Sequence, residues 1–164
     1  MGGKVLAAMS GGVDSSVAAM LLKKEGYDVS GVTMCLGIAA EQDSARCCGA
    51  EAIDDAKRVC DRLGIPHYVF DYAAQLEDDV VAKFISEYEK GRTPNPCVEC
   101  NRHLKFDNLL NKARRLGFDF LATGHYAAIE KKEGQYFLKK PKDKKKDQTY
   151  FLYPIPCEKL GNIF

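Results

Sequence analysis

Apolar residues in this chain come either in short runs bounded by glycine or in longer stretches where they recur every three to four positions. The run Lys4-Val-Leu-Ala-Ala-Met9 predicts a buried strand, broken by a Ser-Gly-Gly turn. Val13, Val17, Met20 and Leu21 then fall on one face of a predicted helix, expected to point inward, which Gly26 closes. Asp28 to Met34 predicts a second strand. Ile53, Ala56, Val59, Cys60 and Leu63 repeat at helical spacing until Gly64 stops them. Pro66 to Phe70 predicts a third strand, and Leu76, Val80, Phe84, Ile85 and Tyr88 mark a third helix ended by Gly91. After an irregular stretch from Arg92 to Cys100, Leu104 to Leu116 is helical again, with Leu109, Leu110 and Ala113 inward, and Phe118 to Thr123 predicts a fourth strand. Ala127–Ile129 and Tyr136–Leu138 flank Glu133-Gly-Gln135 as a hairpin extension.

Strands alternating with helices imply an α/β fold, a doubly wound, Rossmann-like parallel sheet with helices on both faces. Ligands of such sheets sit beyond the carboxyl ends of the strands, where the strand order reverses. Here those ends are Met9 to Asp14, Met34 to Cys35, Asp71, and Thr123 to Tyr126.

Composition narrows this further. With 164 residues, 46% hydrophobic and 29% charged, the chain has the profile of one globular domain, long enough to bury a core without disulfides. Its net charge of +1 conceals an imbalance. Residues 131–146 hold eight lysines against Glu133 and Asp143, so the basic charge is gathered in one place. No apolar run approaches the ~20 residues that span a bilayer, and the N-terminus lacks the regions of a secretion signal, so a cytoplasmic protein without membrane contact is expected. Seven cysteines in a reducing compartment point to thiol chemistry or metal ligation.

Ser10-Gly-Gly-Val-Asp-Ser-Ser16 stands where a strand turns into a helix. Gly11 and Gly12 let the backbone approach a ligand, and the N–H groups of the first helical turn, with the hydroxyls of Ser10, Ser15 and Ser16, can cradle an anion such as pyrophosphate. Asp14 makes sense there as a holder of Mg²⁺ bridging the phosphates. Without Gly-Lys-Ser/Thr the loop is not a Walker motif. It resembles the PP-loop of the N-type ATP pyrophosphatases, whose fold is adenine nucleotide alpha hydrolase-like and which cleave ATP between the α- and β-phosphates.

The second candidate is Gly91-Arg-Thr-Pro-Asn-Pro-Cys-Val-Glu-Cys-Asn-Arg-His-Leu-Lys-Phe106. Two prolines hold Asn95 and Cys97 on a stiff path, and Cys100 is expected just before a helix. A thiol at a helix N-terminus with Arg92, Arg102, His103 and Lys105 nearby is expected to ionise readily and act as a nucleophile. The alternative for a Cys-x-x-Cys pair is half of a structural zinc site, with Cys47 and Cys48 as the other half.

Both loops together, with Gly31-Val-Thr-Met34, Ala122-Thr-Gly-His-Tyr-Ala127 and Lys146-Asp-Gln-Thr-Tyr-Phe-Leu-Tyr153, resemble the tRNA-specific 2-thiouridylase family (MnmA, also called TrmU) over essentially the whole chain. The Gly-Arg-Thr-Pro-Asn-Pro and Cys-Asn pieces are highly specific together. The resemblance implies ATP-dependent thiolation at C2 of the wobble uridine of tRNA, with sulfur relayed as a persulfide by a donor such as a cysteine desulfurase or relay protein. By matching position it implies that Ala8, Met9, Ser10, Gly11, Gly12, Val13, Asp14 and Ser15 bind ATP, that Met34 lies against the adenine and that Gly124 joins the nucleotide pocket. Cys100 matches the catalytic nucleophile. Asn95, Pro96 and Cys97 match the contacts to the target base, and Lys146, Asp147 and Gln148 the contacts to tRNA. His125 reads as a hydrogen-bonded structural residue.

Many members have Asp where Cys97 stands. Members with Cys-x-x-Cys resemble related thiolases that hold a [4Fe-4S] cluster by three cysteines, which makes Cys97 and Cys100 two candidate ligands and Cys47 or Cys48 a candidate third. Cys60, on the apolar face of a helix, reads as core. The family's middle domain and tRNA-embracing β-barrel have no counterpart here, so the chain reads as the catalytic part of a longer protein in preference to a short form needing a partner. The competing function is a PP-loop ligase acting on a small molecule, which leaves the Cys-x-x-Cys loop and the lysines without work.

Overall fold

The computed structural model describes residues 2–37 and 50–164. The described residues divide into two compact units: those up to Ala73, with 113–125 and 164, form one, and residues 74–112 with 126–163 the other.

The first unit holds a parallel sheet of β1 (Lys4–Ala8), β2 (Asp28–Cys35), β3 (His67–Asp71) and β4 (Phe120–Ala122) in the order β3-β2-β1-β4. Val5 pairs with Val29 on one side and Phe120 on the other, so β1 is central. The order reverses between β1 and β4, and the carboxyl ends of those two strands are the switch point of the topology. α1 (Val13–Lys24) and α2 (Ala50–Leu63) follow the first two strands. Their buried residues, Ala19 and Leu22 from α1 and Ala56 and Cys60 from α2, share one core cluster with Val5, Ala7, Met9 and Val29. Gly31 makes the approach of α2 possible, because a Cβ there would lie 2.5 Å from Cys60 Sγ. Lys23 reaches across to donate to the Leu63 carbonyl, meeting the unpaired carbonyl end of α2.

One expectation fails here. The α1 face carrying Val13, Val17, Met20 and Leu21 is exposed, Val13 to 76%, and the helix packs through Ser15, Ala19 and Leu22. Small side chains at those positions bring the helix axis close to the sheet, which the larger apolar face cannot do.

In the second unit the predicted third helix is α3 (Ala73–Leu76), a π-helical turn at Glu77–Val81, and α4 (Ala82–Glu89). The wider π turn rotates the downstream residues of the helix, so Leu76 and Val80 are buried while Ile85 and Tyr88, expected on the same face, are exposed. After an irregular bend come α5 (Pro96–Glu99), a π-helix at Cys100–Leu109 and α6 (Leu110–Arg115), whose residues from Ala113 on belong to the first unit, with Leu109, Leu110 and Ala113 buried as expected. β5 (Ala128–Lys132) and β6 (Gln135–Lys139) form the antiparallel hairpin, turned by Glu133 and Gly134, both at positive φ. That is the two-residue turn whose twist matches a hairpin. Single turns of 3₁₀-helix at Lys144–Lys146 and Thr149–Phe151 and the short α7 (Cys157–Leu160) complete the unit.

Candidate active site

At the end of β1 the backbone closes into a small cradle. Gly11 adopts φ of 77°, and a Cβ on it would come within 2.7 Å of the Ala52 carbonyl oxygen. Gly12 is the N-cap of α1 and brings no side-chain cap to its first N–H groups. The serines brace the loop. The Ser10 N–H donates to Ser15 Oγ at 3.2 Å, Ser10 Oγ lies 3.2 Å from the same atom, and Ser16 Oγ donates to the Gly12 carbonyl at 2.8 Å. Gly124, just beyond β4, presses on the first turn of α1 so tightly that a Cβ would fall 2.7 Å from the Ser15 nitrogen. The switch point thus brings Ser10–Ser16 and Gly124 together. A cradle of bare backbone at a 12-residue helix's N-terminus fits a polyphosphate.

Two further residues support the loop from behind. Thr33 is buried; its Oγ1 donates to the Met9 carbonyl at 3.1 Å and lies 2.9 Å from His67 Nε2. With the hydroxyl proton given to Met9, the imidazole must be the donor to Thr33. Burial holds the His67 pKa below its ordinary value, with Lys57 adding to that and Asp61 opposing it. Met34, one position on, is buried at the end of β2. His125 Nδ1 lies 2.9 Å from Thr123 Oγ1, a hydrogen-bonded place within its loop.

The cysteine loop, in the other unit, is built differently. Asn95 is the N-cap of α5, its Oδ1 accepting from the N–H groups of Cys97 at 3.0 Å and Val98 at 3.4 Å, with Pro96 at the first helical position. The helix therefore starts at Pro96, ahead of Cys100, where a start just after Cys100 was expected. Cys97 lies in its first turn and is exposed; Cys100 follows that turn and is half-buried. The basic neighbours expected to favour a thiolate are partly committed elsewhere. Arg92 makes a two-pronged pair with Glu87, one bond 2.7 Å long, which draws the Glu87 carboxyl down to about 2. Glu99 holds both Lys83, at 2.8 Å, and His103, at 3.2 Å. Arg102 and Lys105 remain on the same helix.

Among the described residues no three Cys, His, Asp or Glu side chains converge as metal ligands. Cys47 and Cys48 lie outside the described residues; among the described ones, Cys97 and Cys100 stand as a pair. Cys60 is enclosed in the core, and burial pushes its thiol pKa up, the behaviour of an inert packing residue.

The lysine-rich stretch is only partly neutralised. Lys139 pairs with Glu130 at 3.1 Å and Lys140 with Asp147 at 3.6 Å, while Lys142, Lys144 and Lys145 are exposed and without an ion pair among the described residues. Lys146 Nζ sits 4.6 Å above the Tyr126 ring centre. Asp147 accepts from the Thr149 N–H at 2.9 Å and its hydroxyl at 2.6 Å, which holds its carboxyl below the usual range. Gln148 and Tyr126 bond reciprocally: the Tyr126 N–H donates to Gln148 Oε1 at 2.7 Å and the Gln148 N–H to the Tyr126 carbonyl at 3.0 Å. The sequence alone assigned no role to Thr33, His67, Tyr126 or Asn101. The Asn of Cys100-Asn101 was a signal in plain view.

A family model described as the tRNA methyl transferase HUP domain matches residues 3–164. The chain belongs to that family. Among HUP-domain relatives it is 66% identical over 160 residues to the tRNA-specific 2-thiouridylase MnmA 1 of Syntrophus aciditrophicus (strain SB), covering 98% of this chain and 43% of that protein. It is 54% identical over 160 residues to the tRNA-specific 2-thiouridylase MnmA of Clostridium beijerinckii, covering 96% of this chain and 45% of that one. The chain thus spans less than half the length of these curated relatives. The solved structure of a predicted subunit of tRNA methyltransferase from Methanocaldococcus jannaschii superposes with a TM-score of 0.51 at 21% identity, over 74% of this chain and 52% of that one, a likeness of fold. The resemblance drawn from the two loops and the α/β fold class are both borne out. No helix of the described residues is long and apolar enough to cross a membrane.

Proposed function

We propose that this HUP domain is the nucleotide-binding and sulfur-transferring part of an enzyme that uses ATP to thiolate C2 of the wobble uridine in tRNA. The observation that carries the reading is an anion cradle of bare backbone in a chain that also bears two cysteines at a capped helix start, in a sequence 66% identical to a named 2-thiouridylase. The family model's name speaks of methyl transfer, but the named relatives and the paired thiols favour sulfur.

Residues Ala8 to Ser15 and Gly124 hold the triphosphate, with Met34 against the adenine. Asp14 is the carboxylate that would hold Mg²⁺, which neutralises charge on the departing pyrophosphate. Asn95, Pro96 and Cys97 meet the target base, and Lys146 to Gln148 with the exposed lysines before them meet the tRNA backbone. The uracil O2 attacks the α-phosphorus, the bond to the β-phosphate oxygen breaks, and pyrophosphate leaves. O2, a poor leaving group in uracil, becomes part of AMP. A sulfane sulfur carried on Cys100, delivered by a persulfide donor protein, attacks C2, and AMP departs with the former carbonyl oxygen. A second thiol cuts the remaining S–S bond, and a cellular thiol reductant reopens the disulfide formed.

The test is Cys100→Ser in the whole protein. Thiolation is expected to fall by at least ~1,000-fold while tRNA-dependent pyrophosphate release persists, since the nucleophile acts only in the second step. Retained thiolation overturns the role of Cys100. Pyrophosphate release driven by a small metabolite and indifferent to tRNA overturns the function.

A further inference from the structure

Asn101, the neighbour of Cys100, is only 3% exposed. Its Nδ2 donates to the Phe151 main-chain oxygen at 3.1 Å, a partner 50 residues along the chain. Its Oδ1 is enclosed and has no hydrogen-bond partner among the described residues. The reversed amide would set two acceptor oxygens against each other, so the donor bond fixes the orientation. A buried acceptor without a partner is costly, and an apolar side chain of the same shape avoids that cost. Stability therefore gives no reason for an amide here; the one bond that it makes does.

That bond joins two segments with different tasks. Asn101 lies in the first turn of the Cys100–Leu109 π-helix, whose ladder runs five residues back, as from the Leu110 N–H to the Lys105 carbonyl. Phe151 ends the Thr149–Phe151 turn, which is set by Asp147 and by the Gln148–Tyr126 pair. π-helical turns are rare and are found frequently at functional sites, and the Phe151 bond is a tertiary hold on the start of this one.

We propose that Asn101 is the positioning residue of the Cys100 thiol: its bond to Phe151 sets the rotation of the helix start, and hence where the sulfur points, against the Lys146–Gln148 segment. Asn101 touches no reacting atom. The inference rests on the reading of Cys100 as the sulfur-carrying nucleophile.

It is tested in the whole protein with Asn101→Leu, which keeps the branched shape and removes donor and acceptor alike, and with Asn101→Asp, which replaces the donor by a second oxygen and adds a carboxylate charge. For Asn101→Leu, the melting temperature is expected within about 4 °C of the parent. The kcat of thiolation is expected to fall about 100-fold, the size of effect a misplaced reacting group has, with KM for tRNA and tRNA-dependent pyrophosphate release within about 3-fold. A parental kcat overturns the proposal. So does a parallel loss of thiolation, pyrophosphate release and thermal stability, which marks a merely structural residue. If Asn101→Leu fails to fold, the ratio of thiolation to pyrophosphate release in Asn101→Asp decides by the same criterion. If the parent protein itself does not thiolate tRNA, the proposed function fails by itself. The iodoacetamide labelling rate of Cys100 in the variants then decides the positioning role: a changed rate supports it and a parental rate overturns it.

Discussion

Within Ser10–Ser16 the bracing hydrogen bonds join residues at most five positions apart, and the surface the loop offers at the helix start is main chain. Around Cys97 and Cys100 the Asn95 cap and the Glu99–His103 and Glu87–Arg92 pairs are as local, but longer reaches are added to them. Glu99 is held from Lys83, 16 positions back; Asn101 reaches Phe151, 50 positions on; and Asp107 of the same helix reaches Lys159, 52 positions on. The hydrogen bonds within the first loop come from its own residues, with Thr33, Ala52 and Gly124 packed around it. The second presents side-chain chemistry whose setting is supplied by remote segments. An anion needs only N–H groups aimed at a point, whereas a thiol needs a rotation, an approach path and a balance of neighbouring charge. Local sequence can specify the first requirement and hardly touches the second.

The comparison breaks most visibly at Gly124. Gly124→Val drives a branched side chain into the Ser15 main chain, where even a Cβ falls 2.7 Å away. A loss of about 2–3 kcal/mol in stability is expected, in the range of overpacking, with ATP affinity down at least ~100-fold in calorimetry. Labelling of Cys100 in the surviving folded protein should be unaltered; parental ATP affinity would mean that Gly124 does not shape the cradle. The converse substitution is Asn95→Ala. Removing the cap from the Cys97 and Val98 N–H groups is expected to cost about 1 kcal/mol and to lower thiolation while ATP affinity stays within about 2-fold. A calorimetric change in ATP binding there would show that the two loops are not energetically separate. The smallest effect is expected at His67. Its pKa is lowered on folding, so near and just below the ordinary imidazole value the unfolded chain binds more protons than the folded one. Its contribution to stability is complete above that value and is lost as the pH falls from there through the lower, folded pKa. Melting curves between pH 7.5 and 5.5 should flatten in His67→Gln; an unchanged slope would remove His67 from the account.

The same division explains what was legible in the sequence. The element order, the four parallel strands and the turn at Glu133-Gly134 follow from runs, periodicities and glycines. The Ser10–Ser16 loop was legible too, because Gly11 stands at a positive φ in a strand-to-helix turn that its own residues announce, whereas the need for glycine at 124 comes from its remote contact with Ser15. The buried face of α1 was not. Periodicity finds two candidate faces there, and closeness to the sheet selects the one of small residues, Ser15 and Ala19. The π turn at Glu77–Val81 broke the phase that would have buried Ile85 and Tyr88, since a 3.6-residue period cannot anticipate an inserted residue. The helix start was readable in principle, because Asn95-Pro96 is a cap followed by a first-position proline, yet two prolines two positions apart read equally as a stiff, non-helical path. The pairing of Arg92 with Glu87 and of His103 with Glu99, which tempers the charge near the thiols, depends on geometry that spacing alone leaves open.

The ten-residue π-helix that begins at Cys100 sets a rule for how this segment can vary in length. Each residue of an α-helix turns the chain by about 100°, so removing one residue between Cys100 and Leu109 would allow tighter, more regular winding yet swing everything upstream to another side. Asn101 would lose its line to Phe151, and both cysteines would turn away with it. Substitutions along this stretch are open to trial one at a time, but its residue count is as much a part of the site as the sulfur it carries.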